Sequence, residues 1–148
     1  MKKLATLMLV VMMAFSITAC GSTEETKKEL TNTAEYEECV LTLGDAEITT
    51  NDNGEKVVKV NATFTNNSDE PLYAMSLFAV RAFQNDKEIT DVSDINGADA
   101  SLIKEVKDGA SVEVSYQFKL DDDSPVEVLI GEPTADQDTI GKQTYFDK

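Results

Sequence analysis

The 148 residues predict an all-β fold, an immunoglobulin-like antiparallel β-sandwich of about seven or eight strands. Three observations carry this reading. Apolar and polar residues alternate over short stretches, as they do in strands with one buried face. Clusters of Asn, Asp, Gly and Pro interrupt that alternation at roughly eight- to twelve-residue intervals, the spacing of sandwich turns. After the first twenty residues no stretch shows the 3.6-residue apolar period of an amphipathic helix. The chain has no tryptophan, and beyond residue 20 it has one cysteine, Cys39, so the core Trp and inter-sheet disulfide of antibody domains are excluded.

The elements follow in order. Across Glu35–Thr49, Cys39, Leu41 and Leu43 alternate, Gly44-Asp45 marks a bulge or break, and Ala46 and Ile48 resume the pattern. Asn51-Asp52-Asn53-Gly54 is a tight turn. From Glu55 to Asn66, Val58, Val60, Ala62 and Phe64 face one way while Lys59, Asn61, Thr63 and Thr65 face the other. Asn66 to Pro71 is a polar turn, closed by a residue that cannot continue a ladder. Leu72–Gln84 is a near-continuous apolar run that fits either a buried strand or a buried helix. Pro71 and the hairpin signal Asn85-Asp86 favour strand–turn–strand there. Asp91 to Ala100 reads as a loop, and Leu102, Ile103 and Val106 as a short strand ended by Lys107-Asp108-Gly109. Val112, Val114, Tyr116, Phe118 and Leu120 form a second long alternation, expected to carry the half of the core opposite the Val58–Phe64 strand. Val126, Val128 and Ile130 make another strand, Glu132–Lys142 has little pattern, and Gln143–Phe146 is a short last strand.

The first twenty residues give the address. Lys2 and Lys3 precede an apolar run from Leu4 to Phe15, which is too short to span a bilayer as a mature helix. Ile17-Thr18-Ala19-Cys20-Gly21 resembles the lipobox of bacterial lipoproteins. That resemblance makes Ile17, Thr18 and Ala19 the cleavage-recognition positions and Cys20 the lipidated first residue of the mature chain. Residues 1–19 are then a signal peptide, 20–35 the lipidated cysteine and a disordered tether, and 36–148 the sandwich domain. A polar tether of this length spans roughly 20–25 Å on average. The expected location is the extracytoplasmic face of the cell membrane, through a diacylglyceryl and acyl anchor on Cys20. The whole chain carries a net charge of −15, and the leader removes two lysines and no acid, so the mature form is more acidic still. Such a chain is repelled by nucleic acid and by anionic headgroups, which leaves membrane attachment to the acyl chains.

Chemistry is sparse. The chain has no histidine, which removes the commonest general base and imidazole metal ligand. Cys39 has no disulfide partner once Cys20 is lipidated, and its place in an alternating stretch makes it a core residue. Ser76 and Ser101 lie in no catalytic context, and the chain is read as non-catalytic. No cofactor is expected. The one cation considered is Ca²⁺, at Asp121-Asp122-Asp123 or at Asp91, Asp94 and Asp99. The second group does not fit an EF-hand, since placing Gly97 at the sixth position puts Val92 first and Ile103 last. For a protein or cell-wall partner, Tyr73, Met75 and Tyr145 are the candidate contact residues. Capture of a small envelope ligand or a cation is the alternative.

Three stretches carry a family resemblance: Thr63 to Pro71, Ala82 to Glu88, and Ile103 to Val114. Their order and spacing resemble an uncharacterised family of small immunoglobulin-like lipoproteins of Gram-positive bacteria, a domain of unknown function. The resemblance covers most of residues 36–130 together with the signal and tether, and Asp108 stands where members often carry proline. It implies the sandwich fold and an outer-face location. It brings no activity and no catalytic residues.

Overall fold

The computed structural model describes residues 29–93 and 100–148. The leader, Cys20, Asp94 and Asp99 lie outside the described residues. Eight strands form two four-stranded antiparallel sheets: β1 (Thr33–Tyr36), β2 (Cys39–Thr50), β3 (Lys56–Asn66), β4 (Ala79–Gln84), β5 (Lys87–Ile89), β6 (Ser111–Lys119), β7 (Val126–Gly131) and β8 (Thr139–Tyr145). The first sheet runs β1-β2-β3-β6 and the second β5-β4-β7-β8. The chain crosses between them after β3, β5 and β6, which gives the immunoglobulin-like sandwich its connectivity.

Alternation fixes which side of each strand faces inward. Leu41, Leu43, Val58, Val60, Phe64 and Phe118 from the first sheet pack against Ala82, Val126, Val128 and Ile130 from the second, all buried. Phe64 meets Phe78 edge-on, with ring centroids 6.2 Å apart, a favoured aromatic geometry. The interruption expected at Gly44-Asp45 is a bulge and not a break, a register shift between Leu43 and Ala46 within one strand. Gly54 closes the Asn51 turn at φ 78°, a conformation that costs glycine little.

Five expectations are corrected. β3 and β6 do not face each other across the core; they are neighbours in one sheet, with Val60 opposite Tyr116. Glu35–Thr49 is not one strand: Glu37 and Glu38, both at positive φ, turn the chain between β1 and β2, so that β1 takes up residues whose polar composition reads as tether. Leu72–Gln84 begins with a helical turn, α1 (Ala74–Leu77), before β4. Ala74, Leu77 and Phe78 sit at helical spacing and all three are buried. Leu102 and Ile103 belong to a 3-10 turn, Ala100–Ile103, while Val106 makes an isolated bridge to Leu72. β8 also starts earlier than expected, at Thr139. Any Cβ at Gly141 would lie 2.9 Å from Ile130 Cδ1 and 3.1 Å from Ala34 Cβ, so glycine lets β8 press against both sheets.

Backbone bonds stitch the sheets at both sides. Lys142 N donates to Thr31 O just ahead of β1 (2.7 Å). On the other side the segment after β5 pairs with β6: Lys119 N donates to Thr90 O (2.9 Å) and Val92 N to Gln117 O (2.8 Å). Tyr145 Oη reaches from β8 to Gly44 O on the β2 bulge (2.8 Å).

Two buried amides secure the ends. Asn66 Nδ2 donates to Glu70 O (2.7 Å) and Val106 O (2.9 Å), while its Oδ1 accepts from Ser68 N and Oγ. Gln84 Oε1 accepts from Asp121 N (2.9 Å), and its Nε2 donates to Asp122 O and Ser124 O. Asn66→Ala removes that residue's four hydrogen bonds and leaves a gap at a fully buried position, and is expected to destabilise the domain by about 2–4 kcal/mol. Urea unfolding measures this, and a loss below about 1 kcal/mol would show that the network is not holding the fold.

Candidate functional site

One end of the sandwich carries a cap made by α1 and the 3-10 turn. Leu72 N donates to Val106 O (3.0 Å) and Val106 N to Leu72 O (2.8 Å), which ties the two approaches together. Tyr73 stays extended as the residue before α1, and Ser76 Oγ donates back to its carbonyl at 2.7 Å. Because Ala74, Leu77 and Phe78 occupy the inward side of this turn, Tyr73 and Met75 are left outward. Tyr73 is 41 % exposed, Met75 46 % and Ile103 42 %. Half of the six large apolar side chains exposed among the described residues thus stand on this one cap, and a local concentration of that kind marks contact surfaces. The Tyr73 hydroxyl reaches Glu105 Oε2 only at 3.5 Å, the outer limit of a hydrogen bond.

The structure therefore brings Tyr73 and Met75 together and adds Ile103, whose outward position depended on a 3-10 turn that alternation does not reveal. Tyr145 is not part of this patch. Its hydroxyl is used within the fold, on Gly44 O.

The acidic residues serve turns. Asp122 accepts from Ser124 N (2.8 Å) and Asn85 Nδ2 (2.9 Å), bonds that hold its carboxyl below the usual range, those from Ser124 most. Asp123 pairs with Lys56, which lowers its pKa too. Asp121 contributes its backbone N–H to Gln84. Asp91 Oδ1 accepts from Ser93 N at 2.8 Å. Among the described residues no three or more Asp, Glu, Cys or His side chains are grouped to hold a metal ion. Cys39 is buried, its thiol donating to Asn66 Oδ1 at 3.5 Å, and burial is the largest influence pushing its pKa up. That is the setting of an inert structural thiol.

Millimolar Ca²⁺ is expected to move the melting temperature by less than about 1 °C, because among the described residues no carboxylates are grouped to bind an ion and add linkage stabilisation. A rise of several degrees, reversed by chelator, would refute this. Alkaline pH is a second test. Tyr145 is raised from 10.0 to about 12 by burial first and then by Asp45, and burial also raises Tyr116, followed by Asp91. In the unfolded chain these phenols ionise near pH 10 while the native ones stay protonated. The stability they contribute is thus intact below pH 10 and falls as pH rises from 10 toward 12. Tyr145→Phe is expected to flatten that decline, as read by denaturant midpoints across the window.

Among the described residues no helix is long and apolar enough to cross a membrane. No curated protein matches the chain in sequence. Among solved structures, a candidate lipoprotein from Staphylococcus aureus superposes with a TM-score of 0.58 at 12 % identity, over 77 % of this chain and 87 % of that one. A candidate lipoprotein from Bacillus subtilis, YcdA, superposes with a TM-score of 0.54 at 19 % identity, over 79 % of this chain but 38 % of that one. At these identities the likeness establishes the sandwich fold. Residues 18–130 match the family described as a domain of unknown function, DUF5067. The match runs from the lipobox-like stretch almost to the end of β7, and the chain belongs to that family.

Proposed function

We propose that this chain is a non-catalytic binding module, lipid-anchored through Cys20 on the extracytoplasmic face of the cell membrane, that engages an envelope protein or cell-wall component through the α1 cap. The observation that carries the proposal is the clustering of Tyr73, Met75 and Ile103, all outward on one end of the sandwich. Aromatic and methionine side chains are enriched in interface cores, where they contribute large contact area. The anchor draws support from Ile17-Thr18-Ala19-Cys20 and from the candidate lipoproteins that share the fold. A net charge of −15 supplies no attraction to an anionic bilayer, so the lipid must provide the attachment.

Cys20→Ala is expected to abolish fatty-acid incorporation and to release the chain from the membrane fraction. Retention at the membrane would refute the lipid anchor. For the cap, a photo-crosslinking residue is placed in the full anchored chain at position 75, 103, 63 or 144. Adducts are expected at 75 and 103 and not at the outward strand positions 63 and 144. Tyr73→Ser combined with Met75→Ser should cut the adduct at 103 by at least about tenfold, since buried interface anchors contribute about 1–2 kcal/mol each. Equal yields at all four positions, or none, would dispose of the cap as the contact surface.

A further inference from the structure

The two-residue turn between β1 and β2 is strained. Glu37 and Glu38 sit at φ 45° and 62°. Residues with a side chain disfavour this left-handed region, which Gly, Asn and Asp tolerate best. The β4–β5 hairpin gives the contrast: it has the same pair of positive angles, 49° and 63°, but on Asn85 and Asp86. β1 itself is lightly held. It is four residues long, and Ala34 is the one that is fully buried. Its ladder to β2, and the bonds from Lys142 N to Thr31 O and from Leu43 N to Asn32 O, would be reproduced one for one by β1 of a second copy. The register runs on through the turn. Tyr36 lies opposite Cys39, so with the turn opened Glu37 of one copy falls opposite Glu38 of the other. Asn67 N already donates to Glu38 O at 3.1 Å, which carries the β2–β3 pairing one residue past Cys39 and keeps Glu38 in line with β2.

We infer that two copies of this chain exchange β1, each strand crossing to pair with β2 of the other copy. Exchange keeps the contacts of β1 and changes the turn, where Glu37 and Glu38 of both copies return to extended backbone. Short hinge loops under strain invite this kind of swapping. Charge opposes the step, because like charges directly opposite on a sheet repel, so release of backbone strain is what drives it. The contact with a second copy goes beyond the cap's contact with an envelope partner, and neither reading rests on the other.

The test uses the full chain in the membranes of the cells that make it. Thr33 and Thr42 stand opposite each other with their hydroxyl oxygens 3.1 Å apart, and directly opposed strand positions lie within the reach of a disulfide. Two differently tagged chains are co-expressed, one carrying Thr33→Cys and the other Thr42→Cys, and are oxidised briefly with copper phenanthroline. In the closed fold neither new cysteine has its counterpart, whereas exchange sets the two side by side. A mixed disulfide joining the two tags is expected on a non-reducing gel. Glu37→Asn with Glu38→Gly, introduced in both chains, supplies the pair this turn favours and should cut the yield by at least about tenfold. Glu37→Gln with Glu38→Gln removes the same charges but keeps the strain, and should give a yield at or above that of the unaltered turn. Absence of the mixed disulfide, a yield unmoved by the Asn-Gly pair, or an equal fall with both pairs would overturn the inference. Specific adducts at the cap without the mixed disulfide would leave the partner-binding reading standing and this one refuted; the reverse result would do the opposite.

Discussion

Asn66 ties the chain together where it leaves the first sheet. An amide in an apolar interface is stabilising only when all its hydrogen-bonding capacity is used, and here both hydrogens of Nδ2 and the Oδ1 acceptor are engaged. Its Nδ2 bond to Val106 O is the one that reaches toward the cap. Val106 bridges Leu72, and Leu72 leads directly into α1. The cap therefore hangs on a buried side chain of β3. From the end of β4, Gln84 does the same for the Asp121–Ser124 turn between β6 and β7.

The strands were legible because a two-residue period has only one structural meaning when it is long. β3, β6 and β7 are each outlined by their own side chains. Pairing was not legible. Alternation reports which face of a strand is buried but not which sheet it joins, so β3 and β6 read equally well as opposite halves of a core and as neighbours. Turns were legible where they announced themselves with Asn-Gly or Asn-Asp. They were not at Glu37-Glu38, where two glutamates adopt positive φ without the usual chemistry. β8 was shortened because Thr139 to Gly141 offers little apolar signal, and its contact depends on the absence of a side chain at Gly141.

The candidate site was half legible for a related reason. In Leu72–Gln84 the apolar residues satisfy a strand and a helical turn alike, and only tertiary packing chooses. Once Ala74, Leu77 and Phe78 turn inward together, Tyr73 and Met75 are committed to solvent. Ile103 joins them through a 3-10 turn with no signal of its own. Tyr145 shows the converse: a tyrosine near a chain end reads as a contact residue, yet its hydroxyl closes a bond between the two sheets.

Closure of the sandwich sides bears on how anything can bind. A sandwich often recruits partners by strand addition, which needs a free row of backbone N–H and C=O groups. Here the chain ahead of β1 bonds to β8, and the chain after β5 bonds to β6. β5 itself offers only three residues. Backbone templating is thus largely spent within the fold, and affinity has to come from side chains. The acidic surface gives repulsion toward anionic partners. An exposed apolar end held by a buried amide is where this domain has side-chain contact energy left to give.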